Sequence, residues 1–327
     1  MNLSRVTLTQ LGYLVAVERE RSFRDAAKRS FVTQPALSQQ IGKLEEELGV
    51  RVFDRSRQPV VPTEIGERIL AQARAILREV ERLGDVVAES AGPLSGRYRL
   101  GILPTLAPSL VPLFLPDFMR RHSLVELVVE EVTTEEMIER LRRDDLDGGL
   151  AATPLHTTEI AERPLYREPL HAYVSPGHPL ARRRRIDQRE LAKEPVWILG
   201  EGHCFREQVL QLCGPRRPVV AGGSGAVAFE SATFETLIGL VDRDFGSTVL
   251  PDLVVRALLA AKRRERVRPF APPVPSREVS LVSRRRHLRR AIADALAAAI
   301  EAAVPPELVA SRRDRSRPLD PRPSGRA

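Results

Sequence analysis

The sequence predicts an α/β protein with a small helical N-terminal unit, a long linker helix and a two-lobed α/β region. Three observations predict this. Apolar residues recur at helical spacing in residues 1–62 and continue without interruption through residues 63–92. In residues 93–305, short apolar strands alternate with helices, the order expected for a parallel sheet. The tail, residues 306–327, is rich in Arg, Pro and Ser and is expected to be disordered and basic.

The composition sets limits on location and partners. The 327 residues are 43% hydrophobic, and no apolar run approaches the roughly 18 residues that a membrane span needs. We therefore expect a cytoplasmic protein without a membrane partner, in which thiols stay reduced. The net charge is +8, but residues 1–62 carry ten Lys and Arg against seven Asp and Glu. Charge by itself therefore does not identify nucleic acid as the partner.

The N-terminal unit has the pattern of three short helices. Helices are expected over residues 8–20 and 23–29, and a third follows Thr33, a good N-cap, with Pro35 in its first turn. One face of the third helix is apolar and is formed by Leu37, Ile41, Leu44 and Leu48. Its opposite face carries Gln, Ser and Lys side chains, which can contact bases and phosphates. On this pattern, a helix-turn-helix and an ordinary three-helix bundle fit equally well.

A longer match decides between them. The run SFRDAAKRSFVTQPALSQQIGKLEEELGVRVFDR, continuing to PTEIGE, resembles the DNA-binding domain of LysR-type transcriptional regulators. The resemblance implies a winged helix-turn-helix in residues 1–62 that binds double-stranded DNA. It places on the DNA face Thr33, Gln34, Pro35, Ser38, Gln39 and Lys43, with Arg55 and Arg57 in the wing.

The linker helix carries an apolar seam. Its members alternate four and three residues apart and are Ile69, Ala73, Ile76, Val80, Leu83 and Val87. Such a seam is typical of a coiled coil, which would join two chains as a homodimer and present two DNA-reading helices to one site. The alternative is a helix that packs on its own domain.

The region after residue 93 is expected to form two lobes with two crossovers, as in periplasmic binding proteins. A first β-α-β-α-β unit is followed by a smaller second unit, and the strand 277–283 with the helix 288–304 returns to the first. In open α/β sheets, ligands bind at the carboxyl ends of strands. The side chains expected there, each after a strand, are Thr105, Thr134, Cys204 and Arg284.

The stretch GEGHCFREQVLQLCG contains the only two cysteines, Cys204 and Cys213. A zinc site is disfavoured because His203 beside Cys204 on a helix gives poor ligand geometry. Cys204 is expected in the first turn of a helix, where unpaired N–H groups would lower its pKa, with His203 and Arg206 adding donors or charge and Gln208 one turn on. An inert core role fits Cys213 better than Cys204.

The same stretch, together with GILPT (101–105), Thr134, FETL (234–237) and the spacing between them, resembles the peroxide-sensing members of the LysR-type regulators. The resemblance implies that Cys204 is the peroxidatic thiol and Cys213 the resolving thiol of a disulfide. It also implies that peroxide is positioned by Thr105, Thr134, His203, Arg206, Gln208 and Arg284. The segment DRDFGST, residues 242–248, departs from the family pattern.

Further expectations follow from this resemblance. The protein would be a transcriptional regulator of antioxidant genes and not an enzyme, without cofactor or metal. It would assemble from homodimers to a homotetramer, contact RNA polymerase, and be reduced by glutaredoxin or thioredoxin. Two alternatives remain open: a LysR-type regulator that binds a small effector between the lobes with inert cysteines, and a thiol peroxidase.

Overall fold

The computed structural model describes residues 6–89, 93–213, 220–222, 225–227, 231, 233–284, 290–311 and 318–321. The chain divides into two compact units, Met1–Gly92 and Pro93–Ala327. Among the described residues, no helix is long and apolar enough to cross a membrane.

The first unit is a winged helix-turn-helix extended by a long helix, as the sequence predicts. Its elements are α1 (Leu8–Glu20), α2 (Phe23–Arg29), α3 (Gln34–Leu48), β1 (Phe53–Asp54), β2 (Val61–Pro62) and α4 (Glu64–Glu89). The short strands β1 and β2 pair antiparallel and form the wing. The apolar face of α3 is buried in the core of this unit, so its polar face is left toward solvent.

The predicted apolar seam of helix α4 is buried in the core of its own unit near its start and exposed at Ile76 and Val80. Leu70, beside the seam, and Ala73, within it, are almost fully buried in the core of their own unit, which is the alternative weighed for this helix. Ile76 and Val80, further along the seam, remain 37% and 38% exposed. The side chains of Leu83 and Val87 lie outside the described part of the chain. Among the described seam residues, Ile76 and Val80 are therefore exposed enough to contact a second chain.

The second unit contains ten strands and nine helices among its described residues. The strands are β3 (Gly96–Ile102), β4 (Val125–Glu131), β5 (Gly148–Thr153), β6 (Ile160–Val174), β7 (Val196–Trp197), β8 (Val220–Gly222), β9 (Gly225–Val227), β10 (Ser247–Pro251), β11 (Val267–Pro269) and β12 (Ser276–Arg284). The helices are α5 (Ala107–Arg121), α6 (Thr134–Arg142), α7 (Gln188–Leu191), α8 (Cys204–Cys213), α9 (Phe234–Asp242), α10 (Asp252–Ala257), α11 (Ala260–Arg266), α12 (Arg290–Ala303) and α13 (Pro306–Ser311).

One strand is shared by both lobes. The main sheet has the order β4-β3-β5-β12-β6-β10-β7, and β11 pairs with β6. The 15-residue β6 pairs with β12 along its first part and with β10 and β11 along its last part. Two separate apolar cores lie on either side of this crossing. The two-lobed, periplasmic-binding-like α/β fold is confirmed, as is the return of β12 and α12 to the first lobe.

The sheet is not wholly parallel. Strands β3, β4 and β5 are parallel, whereas β12 runs antiparallel to both β5 and β6. The physical reason is the crossing itself: β6 leads the chain out to the second lobe, so the strand that returns beside it runs the opposite way. This direction decides which residues of β12 reach the carboxyl edge of β5.

The segment 242–248, which departs from the family's sequence pattern, forms the turn between α9 and β10. Asp244 and Gly246 adopt left-handed backbone angles, with φ of 64° and 78°. The Asp244 carboxylate accepts a hydrogen bond from Gly177 N at 3.0 Å, and the carbonyl of Phe245 accepts one from Trp197 Nε1 at 2.7 Å. The turn is therefore tied into the second lobe by its own side chain and backbone.

The expectation of a disordered tail from residue 306 is wrong for two stretches. Residues 306–311 form α13, with Leu308 only 3% exposed in the core of the first lobe. Residues 318–321 also have a defined place: Leu319 packs against the core of the second lobe and Pro321 is buried. Both stretches carry an apolar leucine whose burial offsets the entropy of ordering. The remainder of 306–327 lies outside the described residues.

Candidate functional site

The predicted DNA-contacting residues lie on the surface of the first unit. Helix α3 is capped by Thr33, whose Oγ1 accepts a hydrogen bond from Ala36 N at 3.4 Å. Exposed or partly exposed side chains are found at Thr33, Gln34, Pro35, Ser38, Gln39, Lys43, Arg55 and Arg57. Arg57 Nε lies 3.3 Å from the Asp54 carboxylate. This placement is compatible with the predicted DNA face, and the individual DNA contacts stay a prediction.

A buried carboxylate, which sequence reasoning missed, fixes the wing to α3. Glu45 is 4% exposed, and its Oε1 accepts hydrogen bonds from Val52 N at 2.8 Å and Phe53 N at 3.4 Å. Its Oε2 accepts from Arg55 Nη2 at 3.0 Å, and Arg55 Nη1 donates to Ser38 Oγ at 3.3 Å. The wing arginine is therefore held beside the polar face of α3. The feature of the sequence that could have indicated this contact is the position of Glu45, which directly follows the apolar Leu44 of α3.

The second candidate site surrounds Cys204, the first residue of α8. The turn before it contains Gly202, whose φ of 86° favours glycine. Cys204 is 9% exposed and its side chain belongs to the apolar core of the first lobe. The next apolar residues of the helix, Phe205 and Val209, pack into the second lobe. The thiol thus lies where the two lobes meet.

Two threonines reach this point from the first lobe. Thr105 follows β3 and is 4% exposed. Thr134 is the first residue of α6, but the cap of that helix is Thr133, whose side chain accepts from Glu136 N at 3.2 Å. Thr134 is therefore free of capping. Its buried hydroxyl has no hydrogen-bond partner among the described residues, and its proximity to the Cys204 thiol lowers the pKa of that thiol.

An arginine that the sequence did not single out completes the site. Arg277 is 0% exposed, and its Nη1 and Nη2 lie 3.5 Å from Thr105 Oγ1 and 3.4 Å from Thr105 O. Its Nε donates to Glu168 Oε1 at 2.7 Å, and its guanidinium lies 5.3 Å from the ring centroid of Phe205. Its positive charge also lowers the pKa of the Cys204 thiol.

The prediction that Arg284 lines this site is wrong. Arg284 ends β12, and it pairs with Ile160, the first residue of β6, at the amino edge of the parallel strands. Its guanidinium is half exposed and forms an ion pair with Asp144 at 2.7 Å. Because β12 is antiparallel, the residue that reaches the carboxyl edge is near its start, at Arg277. The error lies in the assumed strand direction.

A signal for Arg277 was present in the sequence. Arg277 and Glu278 open an apolar strand, and the strand 160–174 carries the matching pair Arg167 and Glu168. In the structure they face each other across the ladder, Arg277 with Glu168 and Glu278 with Arg167. Charges at the start of a buried strand need partners, and antiparallel pairing of two Arg–Glu dipeptides places each arginine opposite a glutamate.

The pKa of the Cys204 thiol is raised, contrary to the expectation of an activated low-pKa thiol. Burial is the largest cause and disfavours the thiolate. The charge of Arg277, the Thr134 hydroxyl and the backbone N–H of Phe205 lower the pKa, while nearby Glu135 raises it. The donors expected at a helix N-terminus are present, but the apolar core around the sulfur outweighs them.

His203 and Arg206 lie on either side of Cys204 in the chain, where α8 begins. Burial lowers the pKa of His203, so its ring is neutral at pH 7 and does not supply the positive charge expected from the sequence. Arg206 Nη1 donates to the carbonyl of Leu199 at 2.9 Å. That bond closes the turn that leads into α8. Arg206 therefore stabilises the first turn of α8.

Gln208 and Cys213 lie further along α8. Gln208 is fully buried, with Nε2 donating to the carbonyl of Leu319 at 3.1 Å. Cys213, the last residue of the helix, packs against the core of the second lobe, and burial raises the pKa of its thiol to about 12. Both cysteines are free thiols. Among the described residues, no group of His, Cys, Asp and Glu could hold a metal ion.

The two thiols are separated by the helix itself. Cys204 and Cys213 are the ends of one uninterrupted α-helix, so nine residues place them about 13 Å apart along its axis. A disulfide needs Cα atoms within about 7 Å. The helix that the sequence predicts is confirmed, and a bond between its ends requires that it unwind.

The raised pKa values predict the titration of the reduced chain. Because burial favours the neutral form of an acid, more than half of the Cys204 thiol should stay protonated at pH 9.0. Ultraviolet thiolate absorbance measured against pH, in the intact chain and in Cys204→Ser and Cys213→Ser variants, checks this for each thiol. A Cys204 midpoint below pH 9.0 would contradict the account of the pocket.

Comparison with known proteins agrees with this geometry. Residues 8–67 match the model of the bacterial regulatory helix-turn-helix protein, lysR family, and residues 91–305 match that of the LysR substrate binding domain. The hydrogen peroxide-inducible genes activator of Pectobacterium carotovorum is 34% identical, covering 85% of this chain and 90% of the relative. The DNA-binding transcriptional dual regulator OxyR of Escherichia coli is 33% identical, covering 91% and 95%.

Solved structures give the same result. A full-length OxyR from Pseudomonas aeruginosa, with one cysteine replaced by aspartate, is 34% identical and has a TM-score of 0.73. The match covers 91% of this chain and 98% of the Pseudomonas chain. A cysteine-to-serine mutant of Corynebacterium glutamicum OxyR, bound to H2O2, is 27% identical with a TM-score of 0.60, and 94% of each chain is covered. The chain therefore belongs to the LysR family of DNA-binding transcriptional regulators and, within it, to the OxyR group.

Proposed function

We propose that this chain is a hydrogen-peroxide-sensing transcriptional regulator that activates antioxidant genes, with Cys204 as peroxidatic thiol and Cys213 as resolving thiol. One observation carries the proposal: a free thiol lies among Thr105, Thr134 and Arg277 at one end of a helix whose other end is the second cysteine. The relatives named for induction by hydrogen peroxide, and the H2O2-bound mutant, support the choice of oxidant.

The first step forms a sulfenic acid. The sulfur of Cys204 attacks one oxygen of H2O2, so the S–H and O–O bonds break while an S–O bond forms. The departing oxygen takes the thiol proton and leaves as water. Arg277 and the hydroxyls of Thr105 and Thr134 are placed to stabilise the charge that develops on sulfur and on the leaving oxygen. In this account the thiol loses its proton during attack, consistent with its raised pKa.

The second step forms the disulfide. The Cys213 sulfur attacks the sulfenic sulfur of Cys204, so an S–S bond forms while the S–O bond of the sulfenic acid and the S–H bond of Cys213 break. The departing hydroxyl takes the Cys213 proton and leaves as a second water. Because α8 separates the sulfurs, this step requires local refolding of residues 204–213. A refolded segment at the junction of two lobes is a discrete change that dimer contacts can transmit to the DNA-binding pair.

Assembly and partners form part of the proposal. The exposed Ile76 and Val80 of α4 suit a helix–helix contact with a second copy, and we propose homodimers that pair into a homotetramer on DNA and contact RNA polymerase. One oxidation per chain makes the protein a regulator rather than an enzyme, with no cofactor. Acting on DNA in the cytoplasm, it would be returned to the thiol form by glutaredoxin or thioredoxin.

The proposed function predicts a two-proton mass loss and a changed DNA footprint. Intact-mass measurement after sub-stoichiometric H2O2 should show a loss of two hydrogens that Cys204→Ser abolishes. Footprints on the protein's own upstream region should differ between the reduced and oxidised chain. The proposal would be contradicted by identical footprints in both states, or by a mass loss in Cys204→Ser equal to that of the unmodified chain. Either result would favour an effector-binding regulator with inert cysteines.

The corrected arginine assignment gives a matched pair of variants. Arg277→Lys keeps a positive charge but loses the fork that contacts Thr105 and Glu168 together, so sulfenic acid formation should slow by at least about tenfold. Arg284→Lys makes the same substitution at the opposite edge and should leave the rate unchanged. Rates are measured in a Cys213→Ser background, with circular dichroism as the check on folding. The reverse order of sensitivity would overturn the role given to Arg277.

A further inference from the structure

Residues Pro318 to Pro321 form a short strap that lies against α8. The Leu319 carbonyl accepts from Gln208 Nε2 at 3.1 Å. The backbone of Asp320 makes two bonds with one side chain: Gln211 Nε2 donates to Asp320 O at 2.6 Å, and Asp320 N donates to Gln211 Oε1 at 3.2 Å. Both glutamines lie between the two cysteines on α8.

The strap also holds the first lobe. Leu319 N donates to the carbonyl of Ser276, the first residue of β12, at 2.9 Å. The Asp320 carboxylate lies 2.8 Å from His156 Nε2, in the loop after β5. The Leu319 side chain meanwhile packs on the second lobe. The strap therefore spans the junction of the lobes beside Cys204, anchored on both sides.

The chemistry of these bonds determines the orientation of the Gln208 amide. A backbone carbonyl can only accept, so the Gln208 NH2 group must face Leu319. Its oxygen, Oε1, then points elsewhere; it is fully buried and has no hydrogen-bond partner among the described residues. A buried acceptor without a donor is unfavourable. Peroxide carries O–H donors, and Gln208 lies one helical turn from Cys204 on the same helix.

We propose that the strap is a positioning element for the peroxide reaction: Leu319 orients the Gln208 amide so that Oε1 can accept from peroxide, and Asp320 holds α8 wound until Cys204 is oxidised. The inference rests on the proposed function of Cys204. Neither family model reaches residues 318–321, since the second ends at residue 305. The strap therefore lies outside the two matched domains.

Its two contacts have opposite effects on the two steps. Without the Leu319 carbonyl, the Gln208 amide is free to rotate and sulfenic acid formation at Cys204 slows. Without the Asp320 backbone pair, α8 unwinds more easily and closure of the disulfide from the sulfenic acid speeds up. A strap that only stabilised the fold would not shift the two steps in opposite directions.

The test displaces the strap in the full-length chain. Leu319→Asp removes the apolar anchor, and Leu259→Asp, at a leucine that is 71% exposed, is the matched control. Sulfenic acid formation is timed by rapid quenching in a Cys213→Ser background, and disulfide closure in the chain with both cysteines. Leu319→Asp should slow the first step and accelerate the second, each by about fivefold, the effect of one hydrogen bond; the control should change neither.

A second variant separates the two contacts. Gln211→Leu removes the pair with Asp320 at an exposed helix position, so it should accelerate closure and leave sulfenic acid formation unchanged. Rates unchanged in both variants, or shifted in the same direction, overturn the strap. If the unmodified chain does not oxidise at Cys204 at all, the proposed function fails instead, so the two failures are distinguishable.

Discussion

The second unit depends on one buried ion pair. Arg277 and Glu168 are both fully buried at the crossing of β12 and β6, with Nε and Oε1 2.7 Å apart. Glu168 Oε2 also accepts from Leu253 N at 3.0 Å, and the rest of the guanidinium reaches Thr105. Two charges removed from water are tolerated only when their remaining bonds are satisfied. The pair therefore fixes four segments of chain around the position of Cys204.

That pair explains how an apolar pocket can host redox chemistry. Burial of the Cys204 sulfur favours the neutral thiol, and the positive charge of Arg277 opposes this effect. Because Glu168 compensates the guanidinium permanently, the positive charge is held in place whether or not the thiol ionises. In the proposed mechanism, this arrangement stabilises charge that appears during the reaction and does not store a thiolate beforehand.

Much of this was readable from the sequence, because periodicity and caps are local. Thr33, the apolar face of α3 and the helix between Cys204 and Cys213 follow from spacing. The predictions that failed depend on contacts between residues that are distant in sequence. The direction of β12 places Arg277, and not Arg284, beside Thr105, and the apolar surroundings that raise the Cys204 pKa come from a different lobe than most of its helix. The ordering of Leu319 depends on the core of the second lobe and on Gln208, which lies 111 positions earlier in the chain.

In the proposed function, α8 is the element that switches, because its helical form holds the two thiols apart. Hydrogen exchange of the amides of residues 205–213, before and after one equivalent of H2O2, tests this most directly, with the amides of α5 as internal reference. The account predicts that protection is lost in α8 when the disulfide forms and is kept in α5. A disulfide between Cys204 and Cys213 with α8 still protected would contradict it.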